Sequence, residues 1–264
     1  MVGKRPVGYL FKNTSTWLLA IGVWTMFLFF PSAGLPEEFD IPPPTSLEGL
    51  HLLQIWATEY HVVLIVGAHG DIPLLDTSGN PLGPQLTPKQ FCNAALEGTV
   101  KIDNCTFNQD GKGSARQVNC IPYVHRDVGF NRFAKAKGPF GDGVRGYALI
   151  PYRTIATDNR FIPTGTVLFI PSAVGQLLPT GQKHDGYFFA GDVGDMKDNH
   201  IDVFNGDTAA SFKFVLSVPN PTVPSYVIDK QAIVNRLSIS HSLSNQHERE
   251  SHEWFLCQPK NGRW

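Results

Sequence analysis

The sequence lacks an excess of positive charge. Its 22 lysines and arginines are balanced by 23 aspartates and glutamates, so the formal net charge is −1 at pH 7. Proteins that bind nucleic acid usually present a basic face to the phosphates. The composition therefore gives no indication of a nucleic-acid partner.

Cysteine is also scarce. The four cysteines are Cys92, Cys105, Cys120 and Cys257. No two of them are spaced as CxxC, which argues against zinc ribbons and thioredoxin-like redox sites. In an exported protein an even number of cysteines predicts disulfides, and three pairings are open. Because three of the four lie in one segment, we expect at least one bridge within that segment.

Uncharged apolar runs are few, and the longest is near the N-terminus. Trp17 to Phe30 has no charged residue, follows three basic residues and precedes small ones. This is the order of a secretory signal, and the run is shorter than the roughly 20 residues of a membrane span. We expect residues 1–34 to be a signal peptide or an uncleaved N-terminal anchor. The remainder is then periplasmic or extracellular.

Internal repeats are absent, which excludes solenoids and propellers. The 20 prolines and 25 glycines instead predict short strands and many turns, as in a small barrel or sandwich. We predict an extended, exposed proline-rich linker at 35–55. A barrel domain follows at 56–230, interrupted by an insertion at about 71–143, and a polar tail occupies 231–264.

Local signals predict several elements outside the barrel's acidic region. Thr87 can cap a helix that runs to Glu97, with Pro88 at its first position and Gly98 ending it. Strands are predicted at Val62–Val66, Val144–Ile155 and Gly165–Pro171, where β-branched and aromatic residues cluster.

The most informative stretch runs from Asp185 to Asp207. Two predicted strands, Tyr187–Ala190 and His200–Phe204, flank an acidic, glycine-containing loop. Asp202 stands among apolar neighbours on the second strand. An ionised carboxylate there is costly to desolvate, so we expect Asp202 to retain a proton near neutral pH, as a general acid requires.

A metal site is not expected in this stretch. The spacing of its acidic residues does not follow the EF-hand order, and no bidentate glutamate closes the loop. No organic cofactor is indicated either, and the sequence does not indicate an oligomeric state.

Two groups of motifs resemble a known family. IATDNRFIPTGTVLFIP, followed by DGYFFAGDVGD and HIDVF, resembles the three-aspartate (3D) domain. That domain is shared by the membrane-bound lytic transglycosylase A family and bacterial stationary-phase wall enzymes. The sequence ATEY at 57–60 resembles the strand that opens such domains. The resemblance implies an all-β fold: a six-stranded double-psi β-barrel, here with a long cysteine-containing insertion and a few short helices.

The resemblance also implies an activity. Family members cleave the β-1,4 bond between N-acetylmuramic acid and N-acetylglucosamine in peptidoglycan and leave a 1,6-anhydro sugar. The candidate catalytic residues are Asp202, Asp192 and Asp185. Of these, Asp202 is expected to act as acid and then base, Asp192 to stabilise positive charge, and Asp185 to position the loop. The candidate substrate-binding residues are Thr58, Tyr60, Gly194 and His200.

The same resemblance implies the partners of the chain. They would be peptidoglycan glycan strands, and contact with a membrane would occur only through an uncleaved N-terminal segment.

The chain departs from the family in one loop, which reads GDMKDN where the family often has GGAIKG. Two alternatives to the transglycosylase also stay open. One is a non-catalytic, expansin-like polysaccharide binder, which also carries an HxD strand and would use the aromatic residues at 187–189. The other is an inverting glycoside hydrolase, with Asp142 or Asp158 as the second carboxylate.

Overall fold

The computed structural model describes residues 39–207 and 222–234 of the 264-residue chain. The expected leader at 1–34, Cys257 and most of the expected tail at 231–264 lie outside the described residues. Within the described ranges, no helix has the length and apolar character needed to cross a membrane.

The described chain is built mostly from short strands. The strands are β1 (Leu52–Tyr60), β2 (Val63–Ile65), β3 (Ile72–Leu75), β4 (Pro81–Leu86), β5 (Thr99–Ile102), β6 (Cys105–Lys112), β7 (Asn131–Lys135), β8 (Thr154–Thr157), β9 (Val167–Phe169), β10 (Tyr187–Val193), β11 (His200–Phe204) and β12 (Val223–Ile228). The helices are α1 (Pro88–Glu97), α2 (Ile121–Val124) and α3 (Lys230–Val234). Single 3₁₀ turns lie at Val144–Gly146 and Pro171–Ala173.

Six of the strands close into a barrel in the order β1-β11-β8-β10-β9-β12. The pairs β1–β11 and β8–β10 are parallel, and the other four pairs are antiparallel. This arrangement confirms the expected six-stranded double-psi barrel. Closure also leaves no barrel edge open to pairing with another chain.

Alternation along the strands decides which side chains fill the barrel. Ile55 and Ala57 of β1 and Ile201 and Val203 of β11 are buried in one apolar cluster inside the barrel. Successive strand residues point to opposite faces. The intervening residues of β1 and β11, among them Asp202, therefore lie on the outer wall of the barrel.

The insertion between β1 and β8 forms a second structure with its own core. It contains a four-stranded sheet, β2-β5-β6-β7, and the hairpin β3–β4. Strand β2 already pairs with β5, so this sheet begins before the expected boundary at 71. Helix α1 is confirmed: Thr87 and Gln90 form a capping box, and Gly98 ends the helix in the left-handed conformation with φ 77°.

A disulfide joins Cys92 of α1 to Cys120, which confirms the bridge expected in this segment. Cys105 is also disulfide-bonded.

Two expectations were wrong. The segment Val144–Ile155 is not one strand: a 3₁₀ turn occupies its start, and regular pairing begins only at Thr154. Glycine at 146 with φ 76° and proline at 151 break the run. The linker is not fully exposed, because Ile41 is buried and Phe39 packs against the barrel core.

Candidate active site

The strand register brings four residues into one row on the outer wall. Thr58 of β1 lies opposite Asp202 of β11, Asp202 lies opposite Ala156 of β8, and Ala156 lies opposite Asp192 of β10. Directly opposed strand residues share a face. The barrel therefore places two of the three candidate aspartates side by side with one alanine between them.

Ala156 sets the spacing of the two carboxylates. Neighbouring strands lie about 4.8 Å apart, so the backbones at Asp202 and Asp192 are separated by about 10 Å. Ala156 itself is only 4% exposed, so its short side chain is covered by its surroundings.

Burial keeps the carboxyl group of Asp202 protonated to a higher pH than usual. Desolvation raises its pKa to about 6, against the effect of the hydrogen bond from Thr58 Oγ1 to Asp202 Oδ1 at 2.8 Å. The charges of Glu97, Glu59 and Asp192 raise it further. The expectation that Asp202 resists ionisation agrees with this environment.

Asp192 has a similar environment but a different hydrogen-bond partner. Burial raises its pKa to about 6, while its own neighbours Tyr60 and Val193 donate hydrogen bonds to it. The hydroxyl of Tyr60 donates to Asp192 Oδ2 at 2.9 Å. Burial and the charge of Asp192 raise the pKa of Tyr60 well above its usual value, so this phenol remains a donor at neutral pH.

His200 is fixed beside Thr58. Its Nε2 lies 2.7 Å from Thr58 Oγ1, and its ring stacks on Trp56 with centroids 3.5 Å apart and an interplanar angle of 10°. Burial lowers the pKa of His200, so the ring is neutral at pH 7. The sequence motifs indicated Thr58, Tyr60 and His200, and the structure brings all three to the row.

Glu97 was not predicted. It is the last residue of α1, so the insertion supplies it, and the backbone N–H of His61 donates to its carboxylate. Burial raises the pKa of Glu97, and Glu97 is the charged neighbour with the largest effect on Asp202. The helix dipole disfavours a carboxylate at this end of a helix. A glutamate at the unfavourable end of a predicted helix was the sequence feature that could have indicated a role for Glu97.

Asp185 lies apart from the row. It precedes β10 and Asp192 is near its end, so a rise of about 3.3 Å per residue separates them by roughly 20 Å. Arg153 donates two hydrogen bonds to the Asp185 carboxylate, at 2.7 and 3.0 Å. The backbone N–H groups of Ile41 and Tyr187 also donate to it. These partners use both carboxylate oxygens in structural contacts.

Gly194 lies in the exposed loop after β10. A Cβ atom at this position would lie 2.8 Å from the terminal methyl group of Met196. The next residue, Asp195, accepts a hydrogen bond at 3.2 Å from Arg126 of the insertion. The insertion therefore contacts the loop that joins the strands of Asp192 and Asp202.

The two aspartates considered for a hydrolase are held by contacts with loop residues. Asp142 accepts hydrogen bonds from the backbone N–H groups of Lys137 and Gly138. Asp158 forms an ion pair with Arg160, which holds its pKa well below the usual value. Among the described residues, no cluster of histidine, cysteine and acidic side chains is arranged to hold a metal ion.

Residues 153–213 match the model of the 3D domain. The chain carries a 3D domain. The match includes β8 to β11 and all three candidate aspartates, and it leaves out β1 and the insertion. Within the 3D domain, the row therefore contains Asp202, Ala156 and Asp192, while Thr58 and Tyr60 come from an earlier part of the chain. No curated protein matches the sequence.

Several solved structures are similar to the chain in part. Escherichia coli MltA with bound chitohexaose is 17% identical over 66% of this chain and 71% of its own, with a TM-score of 0.44. A membrane-bound lytic murein transglycosylase from Agrobacterium tumefaciens is 10% identical over 70% and 75%, with a TM-score of 0.46. MltA from Neisseria gonorrhoeae is 13% identical over 69% and 72%, with a TM-score of 0.41.

Proposed function

We propose that this chain is a peptidoglycan lytic transglycosylase with Asp202 as its general acid and base. The observation that carries the proposal is the half-buried carboxyl group of Asp202, whose pKa is raised to about 6, on the outer wall of a 3D-domain barrel. A carboxyl group of this pKa is a suitable proton donor near neutral pH.

The proposed reaction needs one carboxyl group and no water. Protonated Asp202 transfers its proton to the glycosidic oxygen while the bond from that oxygen to C1 of N-acetylmuramic acid breaks. The resulting carboxylate then takes the proton of the C6 hydroxyl of the same sugar, whose oxygen bonds to C1. Two sugar ends are formed, one of them a 1,6-anhydro ring, and Asp202 ends protonated as it began.

In this proposal Asp192 stabilises the positive charge that develops on the sugar. Its position in the same row as Asp202, across the strand that carries Ala156, supports that role. Ionised Asp192 would also favour the protonated form of Asp202. The hydrogen bond from Tyr60 fixes the orientation of the Asp192 carboxylate.

We propose a structural part for Asp185. Its ion pair with Arg153 is buried, and its remaining contacts join β10 to the segment at Ile41. The residue would hold that segment against the barrel and keep β10 in register.

The glycan strand would lie along the outer wall of the barrel, beside the insertion. Thr58, Tyr60 and His200 would line the glycan-binding groove on this wall. Gly194 would lie at its rim, in the exposed loop. A wall substrate requires an exported protein, so the proposal includes periplasmic or extracellular action, with membrane attachment if the N-terminal segment is retained.

An inverting glycoside hydrolase is the second candidate, and one geometric observation favours it. Asp202 and Asp192 lie in one row with Ala156 between them, and inverting enzymes use two carboxyl groups that hold a water between them. In this alternative Asp192 would activate the water.

Product analysis tests the proposal. Purified peptidoglycan is digested with the full chain, with Asp202→Asn, and with Asp110→Asn as a control at an exposed aspartate, and the products are analysed by mass spectrometry. Anhydro-muropeptides from the wild type and the control, and none from Asp202→Asn, are expected. New reducing ends would support the hydrolase. Intact glycan, with the protein pelleting on the wall, would contradict both enzymes and support the non-catalytic polysaccharide binder.

A further inference from the structure

Trp56, His200, Thr58 and Asp202 form a continuous chain of contacts on the outer wall. Trp56 stacks on the His200 ring, His200 Nε2 lies 2.7 Å from Thr58 Oγ1, and Thr58 Oγ1 donates to Asp202 Oδ1 at 2.8 Å. The register explains this proximity, because Trp56 pairs with His200 and Thr58 with Asp202 on parallel strands. The strand pair β1–β11 therefore holds both ends of this series of contacts.

The number of hydrogens fixes the direction of these bonds. A threonine hydroxyl has one hydrogen and accepts through its lone pairs. Since Thr58 donates its hydrogen to Asp202, the short contact with His200 is a hydrogen bond only if Nε2 carries a proton and donates to Thr58. With Thr58 as the donor to Asp202, the arrangement corresponds to the tautomer of His200 with hydrogen on Nε2.

This direction decides which oxygen of Asp202 carries the acid proton. Oδ1 accepts the hydrogen of Thr58, so a proton placed on Oδ1 would oppose that donor. In the described part of the chain no hydrogen bond reaches Oδ2. The opposite tautomer of His200 would accept the hydrogen of Thr58, and Oδ1 of Asp202 would then carry the proton and donate it to Thr58.

We propose that His200 is a positioning residue that acts through Thr58 to direct the acid proton of Asp202 to Oδ2, where a glycosidic oxygen can receive it. This inference rests on the proposed function and adds a role for His200 beyond contact with the sugar. The stack on Trp56 holds the imidazole in the plane that this role requires.

The surroundings are consistent with a neutral donor. Burial lowers the pKa of His200. The charged groups that act on Asp202 are Glu97 of α1, Glu59 of β1 and Asp192 of β10. If His200 did become protonated at acidic pH, Nε2 would keep its hydrogen, so the direction of the hydrogen bonds would be unchanged.

Two variants separate donation from packing. His200→Phe keeps an aromatic ring against Trp56 but has no donor, while His200→Gln restores an N–H near the Nε2 position. Thr58→Val and Thr58→Ser form the matching pair at the next position. We expect kcat to fall roughly tenfold to a hundredfold in His200→Phe and Thr58→Val, less than the roughly 10²–10⁴-fold that the acid itself contributes, because both variants keep the carboxyl group of Asp202. KM is expected to change less than kcat, and Gln and Ser are expected to restore most of kcat.

Nuclear magnetic resonance of the full chain tests the same inference without any turnover. The ¹⁵N shifts of the His200 ring should show the Nε2–H tautomer at pH 7, and the ¹³C titration of Asp202 should give a higher pKa in His200→Phe than in the wild type or His200→Gln. The expected rise follows because Thr58, without the N–H of His200, is no longer held as a donor to the carboxylate.

The outcomes distinguish the two proposals. A wild type that cleaves no glycan would overturn the proposed function, while the tautomer and the Asp202 titration would still test His200. The inference on His200 is overturned by an Nδ1–H tautomer, by an unchanged Asp202 pKa in His200→Phe, by a raised KM with unchanged kcat, or by a loss that Gln does not restore.

Discussion

The guanidinium of Arg153 and the carboxylate of Asp185 form a buried ion pair with two hydrogen bonds of 2.7 and 3.0 Å, and the ring of Phe39 lies 4.4 Å from the guanidinium carbon. The side chain of Arg153 is fully buried and that of Asp185 is 3% exposed. The pair therefore joins the start of β8 to the start of β10 in a place that water does not reach, and Phe39 adds a contact from the segment before β1.

Breaking this pair should destabilise the protein strongly. We expect Arg153→Met or Asp185→Asn to lower the free energy of unfolding by about 3–5 kcal/mol, because the remaining partner is left buried without full compensation. Arg116→Met removes the partner of Asp127 in an exposed pair and should cost less than about 1 kcal/mol. Urea unfolding monitored by circular dichroism gives both values. If Asp185→Asn unfolds like the wild type but has lost its activity, the structural part proposed for Asp185 is wrong.

Ionisation of the Asp202 carboxyl group should lower the free energy of unfolding as the pH rises to about 6 and above. Its pKa in the folded protein is about 6, against about 3.9 for an unfolded aspartate. The folded state thus binds the proton more tightly, and the stabilisation from this proton is complete below about pH 4 and is lost as the pH rises to about 6. Asp202→Asn should therefore be more stable than the wild type by about 1–3 kcal/mol at pH 7.5 and nearly equal at pH 4. Thermal unfolding at both pH values measures the difference, with Asp110→Asn as the control. An equal difference at the two pH values would contradict this prediction.

Replacing Glu97 should alter the pH dependence of the reaction. The charge of Glu97 raises the pKa of Asp202, so Glu97→Gln should lower that pKa and reduce the protonated fraction of Asp202 at pH 7. We expect the descending limb of the kcat profile to shift to lower pH, with a severalfold loss of activity at pH 7. Glu48→Gln, at an exposed residue near the start of β1, serves as the control. A uniform loss at every pH, without a shift of the limb, would mean that Glu97 supports the groove and does not act on the acid.

The bridge between Cys92 and Cys120 should stabilise the insertion. The two cysteines are 28 residues apart, and a loop of that length corresponds to about 3–4 kcal/mol in the chain-entropy description. The double variant Cys92→Ser with Cys120→Ser should lose that amount, measured by chemical denaturation, and should become sensitive to proteases between these positions. Retention of wild-type stability would show that the core of α1 and its sheet is sufficient without the bridge.

The sequence predicted the elements that carry local signals. Helix α1 has a capping threonine, an early proline and a terminal glycine, and β10 and β11 have aromatic or alternating patterns. The segment Val144–Ile155 was mispredicted because its apolar residues pack around turns, and composition alone does not distinguish that from a strand.

The candidate site was predictable where residues are close to a motif. Asp192, Asp202, Thr58 and Tyr60 all follow from the motifs, and the register brings them together. Glu97 was missed because its approach to Asp202 depends on how the insertion packs, which no local pattern encodes. Arg153 was missed for a related reason: its partner Asp185 is 32 residues away.

The hydrogen bond between Thr58 and Asp202 joins residues 144 positions apart. Thr58 is on the first strand of the barrel and Asp202 on the fifth in chain order, so the acid acquires its partner only after nearly the whole domain has been made and β1 and β11 have paired. A chain still being synthesised has no assembled acid. For a protein whose proposed substrate is the cell wall, the order of the strands would itself delay activity until the barrel has closed.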